Sequence, residues 1–84
     1  MRVAIIGAGN FGTAVANIVA RNGTATYLWM RDEQQLADIA RHRENRRYLK
    51  GHKLDANITP TTDLAKAAGE SDILFVTVPS ASFR

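Results

Sequence analysis

Apolar and polar positions run along this chain in two rhythms, one with the period of a strand and one with the period of a helix. Residues 2–6 form a short apolar run with β-branched members that stops at Gly7, the pattern of a buried strand. A turn over residues 7–12 follows. The alanine-rich stretch 13–20 then places Val15, Ile18 and Val19 at i, i+3 and i+4, a helix face predicted to pack on a sheet. Gly23 is placed to end that helix. Residues 26–30 read as a second strand. Asp32 is a candidate cap for a second helix, with Gln35 in the capping-box position and Leu36, Ile39 and Ala40 as the apolar stripe. Residues 58–61 predict a third strand, and Pro60, which has no N–H to donate, puts it at a sheet edge or at its own end. Thr61 or Thr62 then caps a short helix through Leu64, Ala65, Ala67 and Ala68, closed by Gly69. Residues 73–78 are apolar on both faces, which predicts a central, parallel strand ended by Pro79.

The order is β-α-β-α-β-α-β. Such alternation implies parallel strands joined by right-handed crossovers. The expected fold is α/β: half of a Rossmann-type three-layer domain, with a parallel sheet in strand order 3-2-1-4.

The turn sharpens this reading. Gly7, Gly9 and Gly12 form G-x-G-x-x-G, directly after a strand and directly before a helix, inside a βαβ unit. Gly7 permits the tight turn, Gly9 lets the backbone approach a pyrophosphate, and Gly12 lets the helix pack close to the strand. The helix N-terminus then presents N–H groups and the positive end of its dipole to the phosphates. At the end of the second strand, Arg31 can pair with a 2′-phosphate and stack on adenine, while Asp32 serves as the helix cap. This favours NADP, with NAD also accepted. Val78 and Pro79 end the strand beside the first and would line the cofactor side, because ligands in such sheets sit at the carboxyl ends of strands.

Composition changes the picture in several respects. The chain has 84 residues, enough for one small domain, and no cysteine, which removes disulfides, thiolate chemistry and cysteine-based zinc sites. His42 and His52 have no partner at metal-ligand spacing, Ser80 and Ser82 have no nearby base, and no metal site or catalytic constellation is expected. Charge is uneven: Arg41, Arg43, Arg46, Arg47, Lys50 and Lys53 face a single acid, Glu44, within residues 41–53. That segment reads as a frayed helix end plus loop, either a solvated surface or a patch for phosphorylated or polyanionic partners. No run approaches the roughly 18 apolar residues of a membrane span, and the first apolar run is too short for a signal peptide, so a cytoplasmic location is expected.

Several segments together resemble one family. Gly-Ala-Gly-Asn-Phe-Gly-Thr-Ala at 7–14, Leu-Trp-Met-Arg-Asp at 28–32, Arg-Glu-Asn-Arg-Arg-Tyr-Leu-Lys-Gly at 43–51, Thr-Thr-Asp-Leu at 61–64 and Val-Pro-Ser at 78–80 are similar to the bacterial NAD(P)-dependent glycerol-3-phosphate dehydrogenases. The resemblance implies an oxidoreductase that reduces dihydroxyacetone phosphate to sn-glycerol 3-phosphate for phospholipid synthesis. It makes Asn10, Phe11 and Arg31 cofactor contacts, with Tyr48 a weaker candidate near the adenosine end. The sequence departs from the family at Asn10 and Phe11, where Ser-Trp or Ser-Phe is frequent, and at Lys50, where proline is common. The resemblance also implies much longer enzymes, with a lysine soon after the fourth strand and a catalytic lysine in a helical C-terminal domain, neither of which lies within residues 1–84. Residues 1–84 are therefore expected to be the first part of a dinucleotide-binding domain, inactive alone and able to self-associate through an exposed strand 73–78. The alternatives are the cofactor part of another dehydrogenase, such as ketopantoate reductase or a hydroxyacid dehydrogenase, and a non-catalytic module binding nucleotides or polyanions through residues 41–53.

Overall fold

A computed structural model describes residues 1–45 and 53–77. The elements follow the predicted order: β1 (Arg2–Ile6), α1 (Asn10–Arg21), β2 (Ala25–Trp29), α2 (Glu33–His42), β3 (Ile58–Thr61), α3 (Leu64–Gly69) and β4 (Ile73–Val76). The strands make one parallel sheet in the order β3-β2-β1-β4. Right-handed crossovers put α1 and α2 on one face and α3 on the other, giving three layers.

The main core lies between the sheet and the α1–α2 layer. Val3 and Ile5 of β1, Leu28 of β2 and Ile58 of β3 meet Ala16 and Ala20 of α1 and Ile39 of α2. Ala4 and Ala67, both fully buried, lie outside that cluster. Small residues let α1 lie close to the strands, so its buried face is set by Gly12, Thr13, Ala16 and Ala20 rather than by its larger side chains. The predicted face is corrected accordingly. Val15 and Val19 are only partly buried against the core, and Ile18 is 58% exposed. Ala40 is likewise exposed, and α2 buries Ile39 with Leu36 beside it.

The helix termini follow hydrogen-bonding rules with two corrections. The Asp32 side chain caps α2 by accepting from the Gln34 N–H at 2.8 Å. Gln35 does not complete a capping box; its amide donates to the Ala8 carbonyl at 3.1 Å. Helix α3 is capped by Asp63, whose carboxylate accepts from the Lys66 N–H at 3.0 Å, and not by a threonine. Thr61 instead accepts from the Asp63 N–H at 3.0 Å, a local turn that presents the cap. Gly23 ends α1 as expected, its N–H donating to Ala20 at 2.9 Å.

Strand β4 is parallel, as expected, but stands at the sheet edge rather than in its centre, paired with β1 alone. Its four residues are 40% to 63% exposed. Strand β3, carrying Pro60, is the other edge, where a residue without an N–H leaves no ladder bond unmade.

The glycine loop is where packing is tightest. Gly7 sits at φ +117°, and a Cβ there would lie 2.5 Å from the Thr77 hydroxyl. Gly12 lies so close to the loop that a Cβ would overlap the Gly7 carbonyl oxygen and come within 2.8 Å of the Thr77 hydroxyl. Thr77 fastens the same place from the other side, its hydroxyl donating to the Ile6 and Gly7 carbonyls at 3.2 and 3.1 Å.

Far from the loop, the Tyr27 hydroxyl donates to Glu70 at 2.6 Å, and Arg2 donates to the same carboxylate oxygen at 3.3 Å. The hydrogen bond to Glu70 is the main cause that raises the Tyr27 pKa above the usual phenol value, with desolvation and the Glu70 charge adding and Arg2 opposing.

Two outcomes follow from this packing. Gly12→Ala gains up to about 1 kcal/mol of helix propensity. The overlap with the Gly7 backbone, which cannot rotate away, costs about 1–3 kcal/mol. The variant should therefore unfold at lower urea concentration than the parent in equilibrium denaturation. The Tyr27 phenol, followed by its phenolate absorbance, should titrate above free tyrosine, and Glu70→Gln should move it down. Because the folded value is the raised one, whatever this bond contributes is complete below the ordinary phenol pKa and is lost as pH rises through the folded value.

Candidate functional site

The carboxyl ends of the strands converge. Ile6 at the end of β1 is in register with Trp29 of β2 and with Val76 of β4. The Gly7 N–H donates to the Trp29 carbonyl at 3.0 Å, so the glycine loop leaves β1 while still tied to the end of β2. Arg31 and Asp32 follow that end directly, and Thr77 reaches the loop from β4. Three strand termini and the start of α1 thus surround one site at the carboxyl edge of the sheet, where an α/β sheet binds its ligands.

Within it, Gly9 is the N-cap of α1 with extended backbone, φ −77° and ψ −168°, and supplies no side-chain cap. Its carbonyl accepts the first helical bond, from Thr13 at 3.0 Å. The N–H groups of the first turn, Asn10, Phe11 and Gly12, precede the first intrahelical donor and have no partner within the helix. No acidic side chain sits in that turn to offset the positive end of the dipole. A Cβ built on Gly9 would meet nothing within 4 Å, in contrast to Gly7 and Gly12. The three glycines therefore have separable tasks: Gly7 and Gly12 are required by packing, whereas Gly9 leaves open space in front of backbone donors. That space suits an anion approaching close to the main chain.

The side chains around the loop fall into two groups. Phe11 is 66% exposed, and its ring lies 6.3 Å from that of Phe75 at a tilt of 43°. Arg31 is exposed and has no hydrogen bond or ion pair with any described residue. Asp32, by contrast, is occupied as the α2 cap. The strand end thus offers a cation, not a carboxylate, to an approaching ligand. The side chain of Asn10 and the residues Tyr48, Val78 and Pro79 lie outside the described residues, as do His52, Ser80 and Ser82.

Sequence reasoning missed the polar group beneath the loop. Asn45 is 1% exposed, and its amide donates to the Ala8 carbonyl at 2.8 Å and to the Thr13 hydroxyl at 2.7 Å. Gln35 donates to the same carbonyl, and Thr13 also reaches it at 3.4 Å. The available signal was slight: one neutral amide inside a run of arginines, where a solvated face has no need of it.

The basic segment is partly committed to the fold. Arg43 ends α2 in the left-handed region, φ 54°, and its guanidinium donates to the carbonyls of Asp55 at 2.8 Å and Ile58 at 3.0 Å. Lys53 donates to the His42 carbonyl at 3.0 Å and pairs with Glu44 at 3.7 Å, and a β-bridge joins Glu44 to Lys53. Helix α2 ends at His42, which pairs with Asp38 at 3.5 Å. Among the described residues no three His, Cys, Asp or Glu side chains gather as metal ligands, and no helix is long and apolar enough to cross a membrane.

Similarity to known proteins covers the whole of this arrangement. The family described as NAD-dependent glycerol-3-phosphate dehydrogenase N-terminus matches residues 2–84. The chain is 50% identical over 84 residues to the glycerol-3-phosphate dehydrogenase [NAD(P)+] of Teredinibacter turnerae, covering 100% of the chain and 25% of that protein. It is 49% identical over 82 residues to the Pseudomonas fluorescens protein of the same name, covering 98% and 24%. Among solved structures, the Coxiella burnetii glycerol-3-phosphate dehydrogenase superposes with a TM-score of 0.88 at 29% identity, over 94% of this chain and 24% of that one. The Plasmodium falciparum glycerol-3-phosphate dehydrogenase superposes with a TM-score of 0.86 at 30% identity, over 99% and 26%. The chain thus spans about a quarter of the length of these relatives. Both the residues matched and the strand order make it a member of the NAD-dependent glycerol-3-phosphate dehydrogenase N-terminus family.

Proposed function

We propose that this chain holds the adenosine diphosphate side of NADP or NAD, with NADP favoured, as the cofactor-binding part of an enzyme that interconverts dihydroxyacetone phosphate and sn-glycerol 3-phosphate. The observation that carries this is the open space over Gly9 in front of the α1 N-terminus, at the carboxyl edge of the sheet. Gly9 and the N–H groups of Asn10, Phe11 and Gly12 hold the pyrophosphate, on a loop shaped by Gly7. Arg31, which bonds no described residue, takes the 2′-phosphate and stacks on adenine. On the same proposal Tyr48 contacts the adenosine part of the cofactor, and Val78 and Pro79 also contact the cofactor; all three lie outside the described residues. When bound, the cofactor supplies or accepts the hydride; the substrate chemistry belongs to the part of the relatives' length that these residues do not span. On this reading the protein works in the cytoplasm and feeds phospholipid synthesis.

Selective engagement of the basic segment weighs against a polyanion module, since Arg43 and Lys53 are spent on backbone carbonyls and Glu44. We also propose self-association through β4, whose backbone edge and apolar side chains are exposed.

Two measurements test these readings. In calorimetric titration, NADPH and 2′,5′-ADP should bind about equally and NADH more weakly. Gly9→Val should abolish binding without lowering the unfolding midpoint, because a Cβ there meets nothing within 4 Å and the backbone, at φ −77°, is one that valine adopts. Arg31→Ala should erase the difference between NADPH and NADH. Binding that ignores Gly9→Val but falls steeply with salt would support the polyanion module instead. In light scattering, the parent chain should form dimers that grow with concentration and Leu74→Lys should remain monomeric; a parent that stays monomeric at high concentration would refute pairing through β4.

A further inference from the structure

The amide cluster beneath the loop has a consequence for the donors above it. The Ala8 carbonyl accepts from Asn45 at 2.8 Å, Gln35 at 3.1 Å and Thr13 at 3.4 Å, all from the interior side of the loop. No peptide bond among the described residues is cis. In a planar trans peptide, the C=O of one residue and the N–H of the next point in opposite directions. A carbonyl held inward at Ala8 therefore turns the Gly9 N–H outward, into the space that a Gly9 side chain would otherwise enter. That N–H has no hydrogen-bond partner among the described residues.

Rotation of this peptide would reverse the site. It would aim a carbonyl oxygen at the approaching phosphate and bury an N–H among the amide groups of Asn45 and Gln35. Glycine itself does little to prevent this, because it tolerates a wide range of φ and ψ. The restraint has to come from the partners of the carbonyl. Asn45 is suited to it: its Nδ2 bonds both the carbonyl and the Thr13 hydroxyl at 2.7 Å, so it links the loop to the first turn of α1. Gln35 adds a restraint from α2, which also carries the Asp32 cap next to Arg31.

We propose that Asn45 and Gln35 are positioning residues for the phosphate: they lock the peptide joining Ala8 and Gly9 so that the Gly9 N–H is presented to a diphosphate before it arrives. This rests on the nucleotide reading given above. It also gives the segment after α2 a purpose beyond surface charge, since Asn45 lies within it.

The test compares two ligands by NMR titration of the protein and its Asn45→Ala variant. ADP carries the diphosphate; adenosine 2′-monophosphate carries only the phosphate assigned to Arg31. Asn45→Ala should weaken ADP about tenfold, the size of one hydrogen bond to a charged group, and leave adenosine 2′-monophosphate unchanged. Gln35→Ala, at a less buried position, should weaken ADP about threefold, the effect of losing one weaker restraint, and serves if the first variant does not fold. Equal losses for both ligands would mean general damage to the fold and would overturn the proposal, as would no loss for either. A parent chain that binds no ADP would defeat the nucleotide reading, and the lock would then be judged without ligand. Relaxation dispersion at the Gly9 amide should be flat in the parent and show microsecond-to-millisecond exchange in the variants. Flat dispersion in the variants would overturn the lock.

Discussion

The near-contact between Gly12 and the Gly7 carbonyl governs the geometry of this fold. Helix α1 can lie against the end of β1 only because no Cβ stands between them, and Thr77 closes the same gap from β4. Once this approach is made, the first turn of α1 has to begin at the strand terminus, and its unpaired N–H groups have to face the carboxyl edge of the sheet. The small buried residues along α1, Thr13, Ala16 and Ala20, extend the same close approach down the helix. Larger residues on that face would lift the helix away and move its N-terminus off the site. The packing of the core and the aim of the dipole are thus set by one choice of side-chain volume.

The distribution of charge follows from that arrangement. An anion at a helix N-terminus is held by backbone donors and the dipole, which need no lysine or arginine beside them. The chain is free to use its basic residues elsewhere. Arg43 and Lys53 bind carbonyls and brace the crossover between α2 and β3. Arg43 adopts a left-handed backbone at some cost to itself, and two carbonyl bonds from its side chain offset it. What reads along the sequence as a patch of positive charge is thus, in part, a set of clasps.

Which features could be read in advance depended on the range of the interactions that determine them. The four strands, their order and the glycine loop were legible, because apolar runs, Pro60 and the spacing of Gly7, Gly9 and Gly12 act locally or through general rules of chain handedness. Choices between neighbours were not. Thr61, Thr62 and Asp63 can each cap a helix, and the outcome was decided by the turn in which Thr61 accepts from the Asp63 N–H. Gln35 stood in the right place for a capping box and was claimed by a carbonyl 27 positions away. The two apolar faces of β4 predicted a central strand, whereas the predicted strand order already left one of its sides open, and the structure follows the order. Asn45 was illegible for the same reason as Gln35, since its partners are 32 and 37 positions away.

The residues at the site therefore divide by what depends on them. Gly7 and Gly12 are fixed by close packing against the backbone and Thr77, and Asn45 and Gln35 by hydrogen bonds to the Ala8 carbonyl beneath the loop. Gly9, Phe11 and Arg31 touch little or nothing of the scaffold: Gly9 faces open space, Phe11 is largely exposed apart from its ring contact with Phe75, and Arg31 has no partner among the described residues. The described packing and hydrogen bonds place few demands on the identity of these residues, which is consistent with the ligand roles proposed for them. The division also separates affinity from discrimination. On the proposed function, grip on the diphosphate would reside in backbone geometry that the fold enforces, whereas the choice between cofactors would rest on Arg31, which bonds no described residue. A change at Arg31 would then alter that choice with no described hydrogen bond or ion pair lost, whereas a change at Gly7 or Gly12 would meet the backbone and Thr77.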